Sequence, residues 1–383
     1  MRMGAALRRR RRLRTGLVQG MYTFGSVGLG LLIPQISVGA IESRRATEML
    51  VAVAAAFVPF IGIVYSLLFL VVQFGTTTFT PRLNLFRDSP IVWHGFSFFT
   101  GVIVFSFTAA LAIAKDEQTT LLVPIAVMVA VFVAIGVFRQ LQTTAFKSIQ
   151  LASTLAAVAR RGREVVDGMY PDAIGAGSAP DRGTAGPASG RDVLWPSRGA
   201  TLQVIDVRRL VRAAERTGGV IEVCVSPGEV IPEHGRVAVI HGGDESTEHE
   251  AIRALHVGIE RTFDQDPGLA LRVLADIALR SLSPAINDPT TAVQALDHVD
   301  DLLRMMMRRD LDIGTVSAGD GQTLVLLRLP TWEDYVGVAL DETIAMSAAS
   351  LQVRPRVDRL LTELVAIAPP GRREPLQARL ERA

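Results

Sequence analysis

The chain has 383 residues, 49% of them hydrophobic, and a formal net charge of only +2. The mean hydropathy of +0.31 hides a division: residues 13–138 are overwhelmingly apolar, and most remaining charge follows Gln140. This length suffices for a membrane bundle and one or two soluble domains. Because Cys224 is the single cysteine, no intrachain disulfide can form. Proteins that face a reducing cytosol usually lack disulfides.

The N-terminal tail, residues 1–15, is strongly basic and precedes a first apolar run over residues 16–38. This run is too long for a signal peptide, so we expect an uncleaved helix whose basic end stays in the cytosol. Specific contact with anionic lipids is the alternative, because each basic residue near an anionic membrane contributes about 1 kcal/mol to binding. The candidate lipid-contacting residues are Arg8, Arg9, Arg10, Arg11 and Arg12.

The first helix carries a G-x-x-x-G motif at Gly16 and Gly20. Two glycines at this spacing let another helix approach closely. The plainer interpretation is packing inside the chain, and a dimer interface is the alternative.

Three further apolar runs follow, over residues 49–74, 91–114 and 121–138. About 20 helical residues cross a hydrocarbon core of roughly 30 Å, so the sequence predicts a four-helix transmembrane domain over residues 16–138. Pro59 removes a backbone hydrogen bond and should kink the second helix. Residues 34–46 and 115–117 are predicted outer loops.

Basic residues favour one orientation. They lie in the N-terminal tail, in the 75–90 connection and after Phe138, and only Arg44 and Arg45 oppose this pattern. Cytosolic loops are enriched in Lys and Arg. The sequence therefore predicts a multi-pass membrane protein with both termini in the cytosol.

The predicted spans contain no buried Asp, Glu, Lys or Arg, which argues against a proton-coupled transporter and leaves a channel open. Polar side chains near the inner ends of the second and fourth helices are candidates for lining a pore or vestibule, and a polar membrane interface is the alternative. These candidates are Thr76, Thr77, Thr78, Thr80, Gln140, Thr143, Thr144 and Lys147. The fourth helix is expected to continue through residues 139–170 as a cytosolic extension.

Residues 171–197 are rich in Gly, Pro and small residues, so a flexible linker is predicted. Residues 198–383 are predicted to form a cytosolic α+β domain with a helical C-terminal part. Strands are expected at TLQVID, VIEVCV, RVAVI and TLVLLRL, and helices after Asp206, Asp266, Asp288 and Thr331, since Asp and Thr favour helix N-caps. A capping box of Thr247 and Glu250 predicts a helix to about Thr262.

Polar residues concentrate around two of these helix starts, which makes the 264–291 segment the best site candidate in the cytosolic part. Turn and cap chemistry explains the same residues. The candidates are Asp266, Ser281, Ser283, Asn287, Asp288, Thr290 and Thr291.

Familiar metal, phosphate and hydrolase motifs are absent from the sequence. The acidic and histidine residues between Asp244 and His256 fit an exposed helix start better than a metal site, and Cys224 fits a packed hydrophobic position. We therefore expect no cofactor, no metal and no nucleic-acid partner, and we assign no catalytic residue.

Four stretches carry a resemblance to a known family: residues 73–82, TLQVID, the Pro227-Gly228 turn, and RTFDQDPGLALRVLADIALRSLSPAINDPTTAVQALDHV at residues 261–299. Together they resemble the bacterial predicted membrane proteins called domain of unknown function 2254. The resemblance covers nearly the whole chain and implies a multi-pass membrane protein with a cytosolic C-terminal half, but no activity. Thr80 and Leu202 depart from the family pattern, where serine and an aromatic residue are usual, and the loop after the first helix is short.

Three hypotheses follow from these patterns. The first is a homo-oligomeric, channel-like protein with a cytosolic regulatory domain. The second is a membrane-tethered regulatory or scaffold module, and the third is a membrane enzyme with a site near residues 264–291. The expected partners are the lipid bilayer, including anionic lipids, and further copies of the chain.

Overall fold

A computed structural model describes residues 4–36, 38–78, 90–113, 117–174, 190–318 and 322–383 of the chain. Within the described helices, the side chains of residues 4–15, 71, 72, 74–78, 90, 148 and 149 are not described. The chain divides into two compact units. We call Leu7–Thr154 the N-terminal unit, and the other, built mainly from Leu155–Ala383, the C-terminal unit.

The N-terminal unit consists mainly of long apolar helices. They are α1 (Gly4–Leu32), α2 (Ser43–Thr78), α3 (Pro90–Ile113) and α4 (Leu122–Ile149). Four helices in the described residues are long and apolar enough to cross a membrane, which confirms the four predicted apolar helices. The helix of α1 also extends back into the basic tail, to Gly4.

The interior of the N-terminal unit is apolar. Phe60 stacks edge-on against Phe99 and Phe138 at centroid distances of 5.3 and 5.0 Å. Ser43, Ser97 and Ser106 are the buried polar residues of the described candidate spans. Half of the α3 span is buried, against 6% of the α1 span, so α3 is the central helix and α1 lies at the edge.

Glycines explain how α1 and α3 approach. A Cβ at Gly30 would lie 2.9 Å from Thr108 Cβ, and one at Gly101 would lie 2.8 Å from Ser26 Oγ. No described atom lies within 4 Å of a Cβ built at Gly16 or Gly20. The described residues therefore show no packing against the G-x-x-x-G pair, and the close contacts of α1 among them fall nearer its C-terminal end.

Two loops of the N-terminal unit pair with each other. Strand β1 (Ile41–Glu42) runs antiparallel to β2 (Gln118–Thr119). The Thr120 hydroxyl donates to the Val38 carbonyl at 3.1 Å. The α1–α2 and α3–α4 connections therefore lie at the same end of this helix bundle, as alternating spans require.

The fourth helix does not run unbroken to Met169. Helix α4 ends at Ile149, Gln150 is extended with ψ 124°, and α5 (Leu151–Met169) begins immediately after it. The predicted continuous helix is wrong at this residue, although the residues on both sides are helical.

The described residues of the C-terminal unit form two sheets. Their strands are β3 (Arg191–Leu194), β4 (Ala200–Ile205), β5 (Val220–Val223), β6 (Val230–Ile231), β7 (Arg236–His241), β8 (Leu255–Gly258), β9 (Thr315–Ser317) and β10 (Thr323–Leu327). One sheet has the order β3-β7-β5-β10-β9 and the other the order β6-β4-β8. Both sheets contribute buried residues to one hydrophobic core. Helices α6 (Val207–Thr217) and α7 (Glu245–Ala254) add Leu210, Ala214 and Ala251 to this core.

Two predictions for this region need correction. Arg191–Leu194 forms strand β3, paired with β7, although it lies within the predicted linker; residues 175–189 lie outside the described part. The capping box of α7 is formed by Asp244 and Thr247, and α7 ends at Ala254 because the next residues pair with β4 as strand β8.

The remaining helices are α8 (Pro267–Leu282), α9 (Pro289–Met306), α10 (Trp332–Ser347), α11 (Val353–Ile367) and α12 (Pro370–Leu380). Asp266, Asp288 and Thr331 each accept a backbone N–H at the start of the following helix. The caps predicted at these residues are confirmed.

Candidate functional site

Helix α8 separates the predicted cytosolic-site residues into two groups. Asp266 caps its N-terminus, whereas Ser281 and Ser283 lie at its C-terminus. A helix of 16 residues is about 24 Å long. The structure therefore brings Ser281 to Thr291 together but places Asp266 elsewhere.

The Ser281–Thr291 group is a hydrogen-bonded turn. The Ser281 hydroxyl donates to the Ile277 carbonyl, and the Ser283 hydroxyl to the Arg280 carbonyl, both at 2.7 Å. Asn287 has a φ of 47°, a conformation that Asn adopts more readily than most residues. These groups bond within their own segment, as turn residues do.

Asp288 closes this turn. Its Oδ1 accepts the Thr291 N–H at 3.1 Å and its Oδ2 accepts the Thr291 hydroxyl at 2.5 Å. These bonds hold the pKa of Asp288 below its usual value, because they stabilise the ionised carboxylate. Exposed Thr290 follows Pro289 in the first turn of α9.

Asp266 belongs to a different and more buried site. Arg261 makes a two-point contact with it, from Nε to Oδ2 at 2.8 Å and from Nη2 to Oδ1 at 3.0 Å. Oδ1 also accepts the Leu269 N–H at 3.0 Å. Burial raises the pKa of Asp266, and the hydrogen bond from Arg261 opposes that rise.

Two tyrosines extend this site. The hydroxyls of Tyr170 and Tyr335 are 2.9 Å apart and share a hydrogen bond. Burial is the largest cause of the raised pKa of both phenols, and the negative charge of Asp266 raises each further. Both tyrosines therefore stay protonated at neutral pH.

A glycine turn completes the site. Gly228 has a φ of 97°, and a Cβ there would collide with Asp266 Oδ2 and lie 2.9 Å from Arg261 Nε. Only glycine fits both this backbone conformation and this space. We call Tyr170, Gly228, Arg261, Asp266 and Tyr335 the Asp266 cluster.

The motif segments of the C-terminal unit converge here. Gly228 N–H donates to the Leu202 carbonyl at 2.8 Å. The Gln265 side chain accepts from Ile205 N–H at 2.8 Å and donates to its carbonyl at 3.2 Å. The TLQVID strand, the Pro227-Gly228 turn and the RTFDQDPG segment thus form one junction.

Sequence reasoning found only part of this cluster. It singled out Asp266 as a polar cap and Gly228 as part of a motif, but it did not identify Arg261, Tyr170 or Tyr335 as neighbours. The available signal was the density of motif residues from 261 to 268. The tyrosines are 165 positions apart, and nothing local in the sequence pairs them.

The cluster has the chemistry of a structural junction. Asp266 uses both carboxylate oxygens, and each tyrosine hydroxyl has a partner. Buried polar groups that are fully hydrogen-bonded fix one packing arrangement. Among the described residues, no group of three or more His, Cys, Asp or Glu side chains is arranged to hold a metal ion.

Three residues of the acidic and histidine segment between Asp244 and His256 have structural partners. Glu250 binds Arg209 at 2.6 Å, Arg191 lies 3.6 Å from Glu248, and Asp244 caps α7. Cys224 is half-buried, and burial raises the pKa of its thiol.

The pore candidates that the structure describes lie on α4. Gln140, Thr143 and Lys147 are exposed and Thr144 is half-exposed. The hydroxyls of Thr143 and Thr144 donate to the carbonyls four residues earlier, at 2.9 and 2.8 Å, a bond that Ser and Thr often make in helices. The side chains of Thr76, Thr77 and Thr78, and the whole of Thr80, lie outside the described part, as do the side chains of Arg8 to Arg12.

Comparison with known proteins places the chain among membrane proteins without a known activity. The family model described as "Predicted membrane protein (DUF2254)" matches residues 15–363. The uncharacterized proteins Mb1321c of Mycobacterium bovis and Rv1290c of Mycobacterium tuberculosis are each 28% identical over 350 residues. The matches cover 84% of this chain and 67% of each relative. No solved structure matches the chain.

Proposed function

The chain belongs to the DUF2254 family of predicted membrane proteins, and from this membership we propose that it is a membrane-anchored regulatory or scaffold module. The four apolar helices are its anchor, and the C-terminal unit is the part that binds a partner. The chain lies in a bacterial cytoplasmic membrane with both termini in the cytosol.

One contrast carries this proposal. Among the described residues, the N-terminal unit buries no charged side chain, whereas buried charged groups mark proton relays and ion-coupled transport. The motif residues of the C-terminal unit, in contrast, make internal contacts that give it a defined shape. A C-terminal unit of defined shape, attached to apolar helices without buried charge, favours the binding of a partner over the transport of an ion.

Photo-crosslinking tests the proposal in native membranes. A photoreactive amino acid replaces, one at a time, the highly exposed apolar residues Val230, Ile259 and Leu351. We expect at least one position to form a specific covalent adduct with a macromolecule other than lipid. The matched control is Phe132 on α4, 68% exposed, which should react with lipid. Lipid-only or no products at all three test positions would overturn the proposal.

A channel-like homo-oligomer is the second candidate, and the polar residues of α4 favour it. Gln140, Thr143, Thr144 and Lys147 follow at spacings of three and four, so they share one side of the helix. These side chains are exposed or half-exposed in a single copy, so the pore of this candidate forms between copies. Gln140 also lies about 27 Å along α4 from Leu122. If the membrane span begins at Leu122, Gln140 is close to the opposite membrane interface.

Planar-bilayer recording separates the two candidates. Purified full-length protein is studied at varied pH, ion composition and membrane tension. The module proposal expects no current. A current that Gln140→Leu or Lys147→Gln alters, and that Arg359→Gln leaves unchanged, would instead support the channel.

The enzyme hypothesis has no geometric support. Helix α8 separates Asp266 from the Ser281–Thr291 turn by about 24 Å. The side chains of Asp266, Ser281 and Asp288 are all engaged in local bonds. These residues therefore do not form one reaction centre.

A further inference from the structure

Helix α6 carries a row of arginines on its outer face. Arg208, Arg212 and Arg216 are spaced four residues apart and are all exposed. Residues four apart on a helix lie about 6 Å apart along its axis, on the same side. We call these residues the α6 arginine row.

The row is held in a fixed position. Leu210, Ala213 and Ala214 on the opposite face of α6 are buried in the core. Asp206 accepts the Arg209 N–H at 3.1 Å and caps the helix. The arginines therefore project from a rigid element.

In the described residues, no member of the row lies within ion-pair distance of a carboxylate, whereas neighbouring Arg209 binds Glu250 at 2.6 Å. The hydrogen bond from Arg209 is the largest cause of the lowered pKa of Glu250, and the charge of Arg216 adds to it. Arg212 Nε donates to the Arg208 carbonyl at 3.2 Å. Glu215 is the one acidic residue of α6, so the outer face keeps an excess of positive charge.

We propose that the α6 arginine row docks the C-terminal unit onto an anionic lipid surface. Exposed guanidinium groups bind phosphate well. A bilayer is favoured over another polyanion because the same chain carries the apolar helices proposed as an anchor. Anchoring keeps the C-terminal unit near the membrane and so raises the effective concentration of the membrane surface. The inference rests on the proposed membrane anchoring.

Each arginine near an anionic membrane should favour the docked state about fivefold, the equivalent of about 1 kcal/mol. The complete row should therefore favour docking roughly 100-fold. Because the attraction acts between exposed charges, it should weaken as salt is raised.

A spin label on α6 of the full-length chain tests the proposal. The label is attached through Glu215→Cys in a Cys224→Ser background, and the protein is placed in nanodiscs of phosphatidylglycerol or of phosphatidylcholine. We expect phosphatidylglycerol alone to shield the label from a water-soluble relaxation agent, and added salt to reverse the shielding.

Charge removal then identifies the residues responsible. Arg208→Gln, Arg212→Gln and Arg216→Gln together should lower the docked-to-free ratio roughly 100-fold. The matched control removes three other exposed arginines, Arg308, Arg359 and Arg382, and should leave the ratio unchanged.

The docking proposal would be overturned by equal shielding in both lipids or by equal loss of shielding in the control variant. Shielding by an added oligonucleotide but not by phosphatidylglycerol would also overturn it. A chain that alkaline carbonate extracts from membranes would instead overturn the anchoring. A chain that resists extraction while its label stays unshielded would overturn the docking alone.

Discussion

At the scale of single residues, the C-terminal unit depends on a few positions that admit one residue type. Gly228 is the clearest, because its backbone conformation and the nearby Asp266 carboxylate both exclude a side chain. Arg261 and Asp266 then form a two-point ion pair beside it. Removing one partner of a fully buried pair costs about 3–5 kcal/mol, and the loss here should be smaller because the Arg261 side chain is 34% exposed.

Gly228→Ala tests this packing. The added Cβ should reduce the stability of the C-terminal unit by about 1–3 kcal/mol, measured as a lower unfolding midpoint of the full chain in detergent. Gly218→Ala is the control, since Gly218 has a φ of 66° but no atom within 4 Å of an added Cβ. Equal losses in both variants would mean that backbone strain, and not contact with Asp266, determines the effect.

Asp288 gives a prediction about pH. The folded state holds its pKa below the usual value, so its stabilisation is present above the unfolded-state pKa and is lost as the pH falls through the folded-state pKa. Asp288→Asn should therefore flatten the fall in unfolding temperature at acid pH while preserving a helix cap. Asp358→Asn, in an exposed helix pair, is the control. If the unfolding temperature of Asp288→Asn fell at acid pH as steeply as that of the unaltered chain, the stabilising role of the Asp288 carboxylate would be contradicted.

At the scale of elements, buried groups hold helix ends in place. Arg372 donates from Nη1 to the Met306 carbonyl at 2.6 Å and from Nη2 to the Arg309 carbonyl at 2.5 Å. Its guanidinium also lies 5.5 Å from the Trp332 ring centre. The C-terminal end of α9 is thus tied to α12.

Arg372→Lys tests this tie. A lysine ammonium cannot reproduce the planar, two-point contact, so we expect a loss of about 2 kcal/mol, read from chemical denaturation of the full chain. Arg373→Lys, at the exposed neighbouring position, should have almost no effect. Similar stabilities for the two variants would show that the buried contact contributes little.

The paired loops of the N-terminal unit give a second prediction at this scale. Ile41 and Thr119 are direct partners in the β1–β2 ladder, and such partners have Cα atoms about 4.5–5.5 Å apart, within disulfide reach. Ile41→Cys with Thr119→Cys, in a Cys224→Ser background, should crosslink on oxidation. Ile41→Cys with Trp93→Cys should not, since Trp93 lies in the first turn of α3 (Pro90–Ile113), at the other end of the bundle. Failure of the first pair to crosslink would contradict the loop pairing.

At the scale of the whole molecule, the proposed function depends on which side of the membrane each unit occupies. The spans alternate and basic residues cluster on one side, which supports cytosolic termini. A fluorescent-protein fusion after Ala383 should therefore fluoresce, and an alkaline phosphatase fusion there should be inactive. The same reporters fused after Gln118, in the proposed outer loop, should give the opposite result. An active phosphatase after Ala383 would reverse the proposed orientation.

The sequence by itself determined the apolar helices and the helix starts. A run of about 20 apolar residues is sufficient to indicate a span, and a cap such as Asp266, Asp288 or Thr331 acts on amides two or three positions away. Both signals are local, so they can be read without knowing the fold. The failures near Gln150 and at Leu255–Gly258 show the limit, because strand β8 exists only through its pairing with β4.

Only the tertiary structure decided which motif residues meet. Tyr170, Gly228 and Tyr335 come from distant parts of the chain and converge on Asp266 and its neighbour in sequence, Arg261. It also separated Asp266 from the Ser281–Thr291 turn, which the sequence had grouped with it. The physical reason is that packing brings together residues remote along the chain, while a rigid helix keeps apart residues that lie at its two ends.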